Sequence, residues 1–110
     1  MDFGALAKDF EMEKDEFLEI LNLFLESSYD DLKKLQSAID EEDSLKAAHA
    51  AHSIKGAAMN LGLLEIYELA KSIERSAKEN HLCQVHEMAK RAQEEIDRIG
   101  ETVVQERQKE

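Results

Sequence analysis

The chain has 110 residues, enough for one hydrophobic core, and we predict a single domain over residues 1–110. Its 25 acidic and 14 basic residues give a net charge of −11, which disfavours binding to nucleic acids or to anionic membranes. Its apolar runs are too short to span a bilayer, its first residues lack a signal-peptide pattern and its one cysteine cannot form an internal disulfide, so we expect a cytoplasmic protein.

The composition predicts long helices, because proline is absent and glycine occurs only four times. The first expected element is a short amphipathic helix with Phe3, Leu6, Ala7 and Phe10 on its apolar face. A long helix follows over residues 15–40, and its apolar stripe consists of Leu18, Leu21, Leu25, Ser28, Leu32, Leu35 and Ile39. A shorter stripe of Phe17, Ile20 and Phe24 lies beside it, and we expect the first helix to cover that patch.

An acidic turn over residues 40–43 precedes the third predicted helix, with Asp43 as its N-cap and Gly62 as its left-handed C-cap. The core stripe of this helix consists of Ala47, Ala51, Ile54, Ala58 and Leu61. A fourth helix is predicted over residues 63–78, and its stripe consists of Ile66, Ala70, Ile73 and Ala77. Asn80 ends it.

The last helix has the clearest pattern, with Leu82, Val85, Ala89, Ala92, Ile96, Ile99 and Val103 on its apolar face. The polar tail over residues 105–110 is expected to fray. Because the connections are short, the fold is predicted to be all-α, an antiparallel up-down-up-down four-helix bundle with a short N-terminal covering helix.

The third helix carries a second stripe that faces away from the core. At about 100° per residue, His52 lies about 140° and Gly56 about 180° from the centre of the core stripe, with Lys55 at about 80° on its shoulder. This outer stripe consists of Leu45, Ala48, His52, Lys55 and Met59, with His49 and Gly56 beside it. Residues 45–62 contain no acidic residue although the chain is strongly acidic. Such a face favours an arriving anion such as a phosphoryl group.

The residue types suit phosphoryl chemistry. His52 offers a nucleophilic ring nitrogen that is substantially neutral near pH 7. Lys55, one helical turn on, can neutralise phosphoryl oxygens. Gly56 leaves space for a partner's active site above the imidazole, at a cost of about 1 kcal/mol in helix stability.

The segment from His52 to Gly62, HSIKGAAMNLG, resembles the signature of histidine-containing phosphotransfer (HPt) domains. That pattern is His, any residue, hydrophobic, Lys, Gly, two small residues and then a hydrophobic–Gly pair. The resemblance implies a monomeric four-helix bundle in a two-component phosphorelay. In it, His52 shuttles a phosphoryl group between the aspartates of receiver domains, Lys55 assists electrostatically and Gly56 gives access. Met59 departs from the small residue that is common at its position.

The resemblance also implies the partners, which are response-regulator receiver domains and a hybrid sensor histidine kinase. No ATP-binding loop is present, so a phosphocarrier without kinase activity is expected. No resident cofactor or metal is expected, and any Mg²⁺ would lie in the receiver. The residues expected to dock the partner are Leu45, Ala48, His49 and Met59, together with Phe17 and Ile20 from the edge of the otherwise covered patch.

Two other functions are less consistent with the sequence. A di-iron bundle needs Glu three residues before a histidine on two helices, and Lys46, His49, Lys78 and Cys83 stand there instead. A binding-only adaptor of the same fold would be expected to lack the histidine, and His52 is present. The basic residues Lys71, Arg75 and Lys78 are interpreted as a solvated face or a partner rim. His49 is interpreted as a bystander to the chemistry at His52, and His81 and His86 as surface or helix-end residues. Cys83 is interpreted as a small, buried or half-buried residue.

Overall fold

The computed structural model describes residues 3–109, which form five helices and no strand. The helices are α1 (Phe3–Asp9), α2 (Lys14–Asp40), α3 (Ser44–Asn60), α4 (Leu64–Lys78) and α5 (Leu82–Gln108). The all-α prediction is confirmed, and the predicted ends of the second, third and fourth helices are correct to within one residue. The prediction of a fraying tail is wrong up to Gln108, where α5 is still helical, and Glu110 lies outside the described residues.

The ends of α3 follow from local hydrogen bonds. The Asp43 carboxylate accepts a hydrogen bond from the backbone N–H of Lys46 at 3.0 Å, which confirms the predicted N-cap. At the other end Gly62 has φ 71°, the left-handed conformation that glycine adopts without a steric cost. The next backbone N–H, of Leu63, donates to the carbonyl of Ala58 at 3.0 Å and closes the last turn.

The four long helices pack in the predicted up-down-up-down order. Each contacts its neighbour in the chain, and α5 also contacts α2, which closes the bundle. α2 and α5 have 27 residues each and so span about 40 Å of the 44 Å long axis. α3 lies between α2 and α4, and apart from Ile54 its buried side chains are all alanines: Ala47, Ala48, Ala50, Ala51 and Ala58. Small side chains let both neighbours approach α3 closely.

The short helix α1 covers one end of α2, as predicted. Phe3 is buried against Phe17 in an edge-to-face contact with ring centroids 6.5 Å apart, and Phe10 stacks on the same ring at 5.8 Å. Phe17 is therefore completely buried. The expectation that Phe17 contributes to a docking surface is wrong, because α1 and the residue that follows it occupy that side of the ring. Ile20 is half-buried.

None of the helices in residues 3–109 combines the length and the hydrophobicity that a membrane-spanning segment needs.

Candidate functional site

His52 lies in the middle of α3 with its side chain 65 % exposed, so the prediction that it faces away from the core is confirmed. Gly56 is exposed one turn later, and a Cβ built there would have no neighbouring atom within 4 Å. The side chain of Lys55 is 25 % exposed, on the shoulder of the core as predicted. The imidazole therefore has open space on the side toward the C-terminus of α3.

The structure adds a residue that the sequence reasoning missed, Glu74 of α4. Its carboxylate is nearly buried, and one oxygen, Oε2, lies 2.9 Å from Nδ1 of His52. The other oxygen, Oε1, accepts a hydrogen bond from Nζ of Lys55 at 2.7 Å. Nζ of Lys78 lies 3.5 Å from Oε2, one turn further along α4. A single carboxylate thus faces two lysines and the imidazole.

The surroundings of Glu74 keep it ionised. Burial alone would raise the pKa of its carboxyl group, but the hydrogen bonds from Lys55 and His52 and the charges of Lys55 and Lys78 outweigh burial, so the pKa lies below its ordinary value of 4.5. An ionised carboxylate can only accept a hydrogen bond. Nδ1 of His52 must therefore carry the proton of this contact, and in the neutral ring the free lone pair is on Nε2.

α3 thus contributes no acidic residue to the site, but α4 contributes Glu74. A carboxylate on the path of approach would repel an arriving phosphoryl group. Glu74 instead contacts the Nδ1 edge of the ring, away from Nε2, and two lysines balance its charge. The sequence does contain a pattern that could have identified Glu74. It directly follows Ile73 and lies four residues after Ala70, so it is an acidic residue on the apolar side of α4.

Ser53, the residue after His52, makes a contact on the other side of α3, towards α2. The hydroxyl group of Ser53 donates a hydrogen bond at 2.8 Å to the carboxylate of Asp31, a residue of α2 that is only 7 % exposed. His52 and Ser53 therefore tie the same turn of α3 to α4 and to α2. This pair of contacts shows which residues of the three helices lie at the same level at the site.

Of the expected docking residues on α3, Leu45 and Met59 are 80 % and 65 % exposed, and His49 is exposed as well. His49 lines a groove of about 460 Å³ between α2 and α3, on the side away from Glu74. Ala48 is only 5 % exposed, so its placement on the outer face is wrong. It lies seven residues before Lys55 and therefore on the side of α3 that packs against α4.

One exposed apolar residue of α2, Leu23, was missed. The contact between Asp31 and Ser53 fixes the antiparallel register, and Leu23 precedes Asp31 by eight residues while Met59 follows Ser53 by six. Both side chains thus lie at the same end of the bundle, about 12 and 9 Å along it from that contact. Leu23 was overlooked because an isolated leucine on a polar face gives no periodic signal.

The remaining expectations concern residues around the site. Within residues 3–109, no group of three or more His, Cys, Asp or Glu side chains is arranged to hold a metal ion. Among the basic residues of α4, Lys78 belongs to the Glu74 cluster, whereas Lys71 lies over the ring of Tyr67 at 6.0 Å. Cys83 is exposed, and the expectation of at least partial burial is wrong.

Comparisons with known proteins agree with this architecture. A search of curated protein sequences found no match. The structure is similar to the crystal structure of histidine-containing phosphotransfer protein B (HptB) from Pseudomonas aeruginosa PAO1, with a TM-score of 0.85 and 28 % sequence identity over 100 % of this chain and 96 % of that one. The Hpt domain model matches residues 19–102, which include every residue of the site described above. The chain belongs to the Hpt domain family.

Proposed function

We propose that this protein carries a phosphoryl group on His52 and shuttles it between the aspartates of receiver domains. The observation that supports this most directly is the state of the imidazole. It is exposed, and among residues 3–109 its hydrogen bond is made through Nδ1 to Glu74, which leaves Nε2 available, and Gly56 one turn later adds no side chain to the open space there. A histidine that only stabilised the fold would not need a free nitrogen and a cleared approach.

The transfer step follows from this geometry. The lone pair of Nε2 attacks the phosphorus of a receiver's phosphoaspartate, the bond between phosphorus and the aspartyl oxygen breaks, and its electron pair leaves with the receiver's carboxylate. Lys55 can neutralise the phosphoryl oxygens as they arrive. Mg²⁺, where it is needed, is bound by the receiver. The reverse step returns the phosphoryl group to the aspartate of a second receiver.

The docking surface of this proposal is the outer face of α2 and α3 around His52. Exposed apolar side chains stand on both sides of it, Leu45 towards one end of the bundle and Met59 with Leu23 towards the other. An interface of this kind is small and transient, roughly 1,200 Å² or less. We propose that the protein acts here as a monomeric, cytoplasmic, single-domain carrier supplied by a hybrid sensor histidine kinase.

The direct test mixes the protein with a receiver phosphorylated on its aspartate and measures acid-labile, alkali-stable phosphate on the protein. Wild type should acquire the label and His52→Gln should not. His49→Gln is the matched control, an exposed histidine one turn earlier on the same helix that does not share Glu74, and it should still acquire the label. Label that persists on His52→Gln would overturn the assignment.

A second measurement tests the carrier role against a kinase role. Incubation of the protein alone with ATP and Mg²⁺ should leave His52 unlabelled, because the sequence contains no phosphate-binding loop for a nucleotide. Label acquired from ATP in the absence of any other protein would contradict a pure phosphocarrier.

A further inference from the structure

Two open grooves meet on the side of the bundle formed by α4 and α5. The first has a volume of about 600 Å³ and is lined by Leu64, Glu65, Glu68 and Leu69 of α4 and by Arg91, Glu94 and Glu95 of α5. The second, of about 510 Å³, shares Leu64, Glu65 and Glu95 with it, continues beside α1 and extends along α5 to Thr102. We call the two together the α4–α5 groove. From Arg91 to Thr102 it runs for about 16 Å.

The floor of the α4–α5 groove is apolar. Leu64, in the first turn of α4, is 70 % exposed. On one side of it lies Leu69 and on the other Leu6 of α1, and both of these are half-buried. A single exposed leucine is ordinary on a protein surface, but Leu64 joins two other apolar side chains into one strip that is open to solvent.

The rim of the groove is acidic. It carries five carboxylates and two guanidinium groups, which belong to Asp9, Glu65, Glu68, Glu94 and Glu95 and to Arg91 and Arg98. Within residues 3–109, Glu95 is the one carboxylate of the five that is ion-paired, and its partner is Arg98. Unpaired carboxylates beside an apolar strip favour a ligand that brings both apolar side chains and positive charge.

The groove lies away from His52. On α4, Leu69 and Glu74 are five residues apart, so their side chains point about 140° away from each other. Glu74 contacts His52 of α3, whereas Leu69 lines the groove towards α5. A ligand bound in the groove would therefore leave the imidazole uncovered.

We propose that the α4–α5 groove binds a basic amphipathic helix of a partner protein. Its length of about 16 Å matches three helical turns, so apolar side chains one turn apart would lie along the strip from Leu69 to Leu6. Lysines or arginines beside that apolar stripe would face the carboxylates of the rim. This inference does not depend on phosphotransfer through His52. A partner bound here and a receiver docked at His52 can be held at the same time.

The test uses a designed peptide of about 15 residues, made of leucine, alanine and lysine, with its leucines in one helical stripe. The control peptide has the same composition with its leucines dispersed around the helix. Backbone amide NMR of the full chain, titrated with the striped peptide, should show shifts confined to α1, the first two turns of α4 and residues 91–102. The dispersed peptide should bind about tenfold more weakly or less.

Substitutions separate the apolar and the charged contributions. Leu64→Ser should weaken binding of the striped peptide by about tenfold. Val104→Ser is its matched control, because Val104 is also exposed but lines neither part of the groove, and it should bind like wild type. Glu68→Gln should weaken binding about two- to fivefold at low ionic strength, and the effect should shrink as salt is added. Glu16→Gln removes the same charge from an exposed position of α2 and should have a smaller effect.

Four results would overturn the proposal. One is the absence of binding up to about 1 mM striped peptide. Equal binding of the two peptides would mean non-specific attraction to an acidic protein. Shifts centred on Leu23 and Met59 would place the peptide on the face around His52 instead. Shifts in the groove that follow protein concentration without any peptide would identify a second copy of this chain as the occupant. Failure of His52 to accept a phosphoryl group would overturn the proposed function and leave these results unaffected.

Discussion

Two hydrogen bonds to carboxylates, on different sides of the bundle, show how the same type of contact serves different ends. Between α3 and α4, His52 contacts Glu74 at 2.9 Å. Between α2 and α5, the hydroxyl group of Tyr29 donates to Asp97 at 2.6 Å. In the first pair the carboxylate is buried and the ring is exposed, whereas in the second the carboxylate is exposed and the ring is half-buried.

The charges around the two pairs also differ. Lys55 and Lys78 surround Glu74 and lower its pKa. Around Tyr29 the causes act in the other direction, because burial, the hydrogen bond to Asp97 and the charges of Asp97 and Glu101 together raise the pKa of the phenol to about 12. A phenol has one polar atom, and this contact uses it. An imidazole has a second nitrogen that stays available. The pair at His52 therefore prepares a reactive atom, whereas the pair at Tyr29 holds two helices together.

Among the substitutions that test this comparison, one at Gly56 is expected to have the largest effect, and it acts on the phosphotransfer rate. Gly56→Gln should remain folded, because the site is open to solvent, yet slow phosphotransfer by about 10- to 100-fold by placing a side chain over the imidazole. Single-turnover transfer from a phosphorylated receiver measures the rate. Gly56→Ala, which adds one methyl group, is the control and should transfer much faster than Gly56→Gln. Equal rates in wild type and Gly56→Gln would show that access does not limit transfer.

A smaller effect is expected from Tyr29→Phe, which removes the second pair. The loss of its hydrogen bond should lower the free energy of unfolding by about 1 kcal/mol at neutral pH, with the transfer rate unchanged. Because the pKa of Tyr29 is raised to about 12 in the folded protein, wild type should lose stability as the pH rises from 10 towards 12. Urea unfolding across this range should show a shallower loss in Tyr29→Phe. Slower phosphotransfer in Tyr29→Phe would contradict the distinction between the two pairs.

The smallest effect is expected on the free energy of unfolding at acid pH. The folded protein lowers the pKa of Glu74 below 4.5, so its ionised form adds stability at higher pH, and this contribution is lost as the pH falls through that range. The free energy of unfolding of Glu74→Gln should therefore depend less steeply on pH below about 4.5 than that of wild type. Urea unfolding at a series of acid pH values measures the two slopes. Parallel slopes would mean that the lysines do not hold the charge of Glu74 as the geometry indicates.

The fold was largely predictable because its signals are local. Asp43 and Gly62 act through their own backbone neighbours, and the apolar stripes repeat within each helix. The outward orientation of His52 and Gly56 follows from the same periodicity. The site was less predictable where it depends on two helices together. The partner of His52 depends on the register between α3 and α4, and Ala48 is buried because α4 covers a wider part of α3 than the core stripe alone suggests.

Two adjacent residues of α3 hold it to its neighbours: His52 contacts Glu74, and Ser53 contacts Asp31. These two contacts affect how fast the protein can bind and release a partner. A helix tied on both flanks at the same turn can neither slide nor rotate without breaking two contacts. The reactive turn is therefore already ordered before any encounter, and association need not supply the entropy of ordering it. We expect the amides of this turn to exchange with solvent only when the whole bundle opens. A preformed surface of this kind suits brief encounters with successive partners.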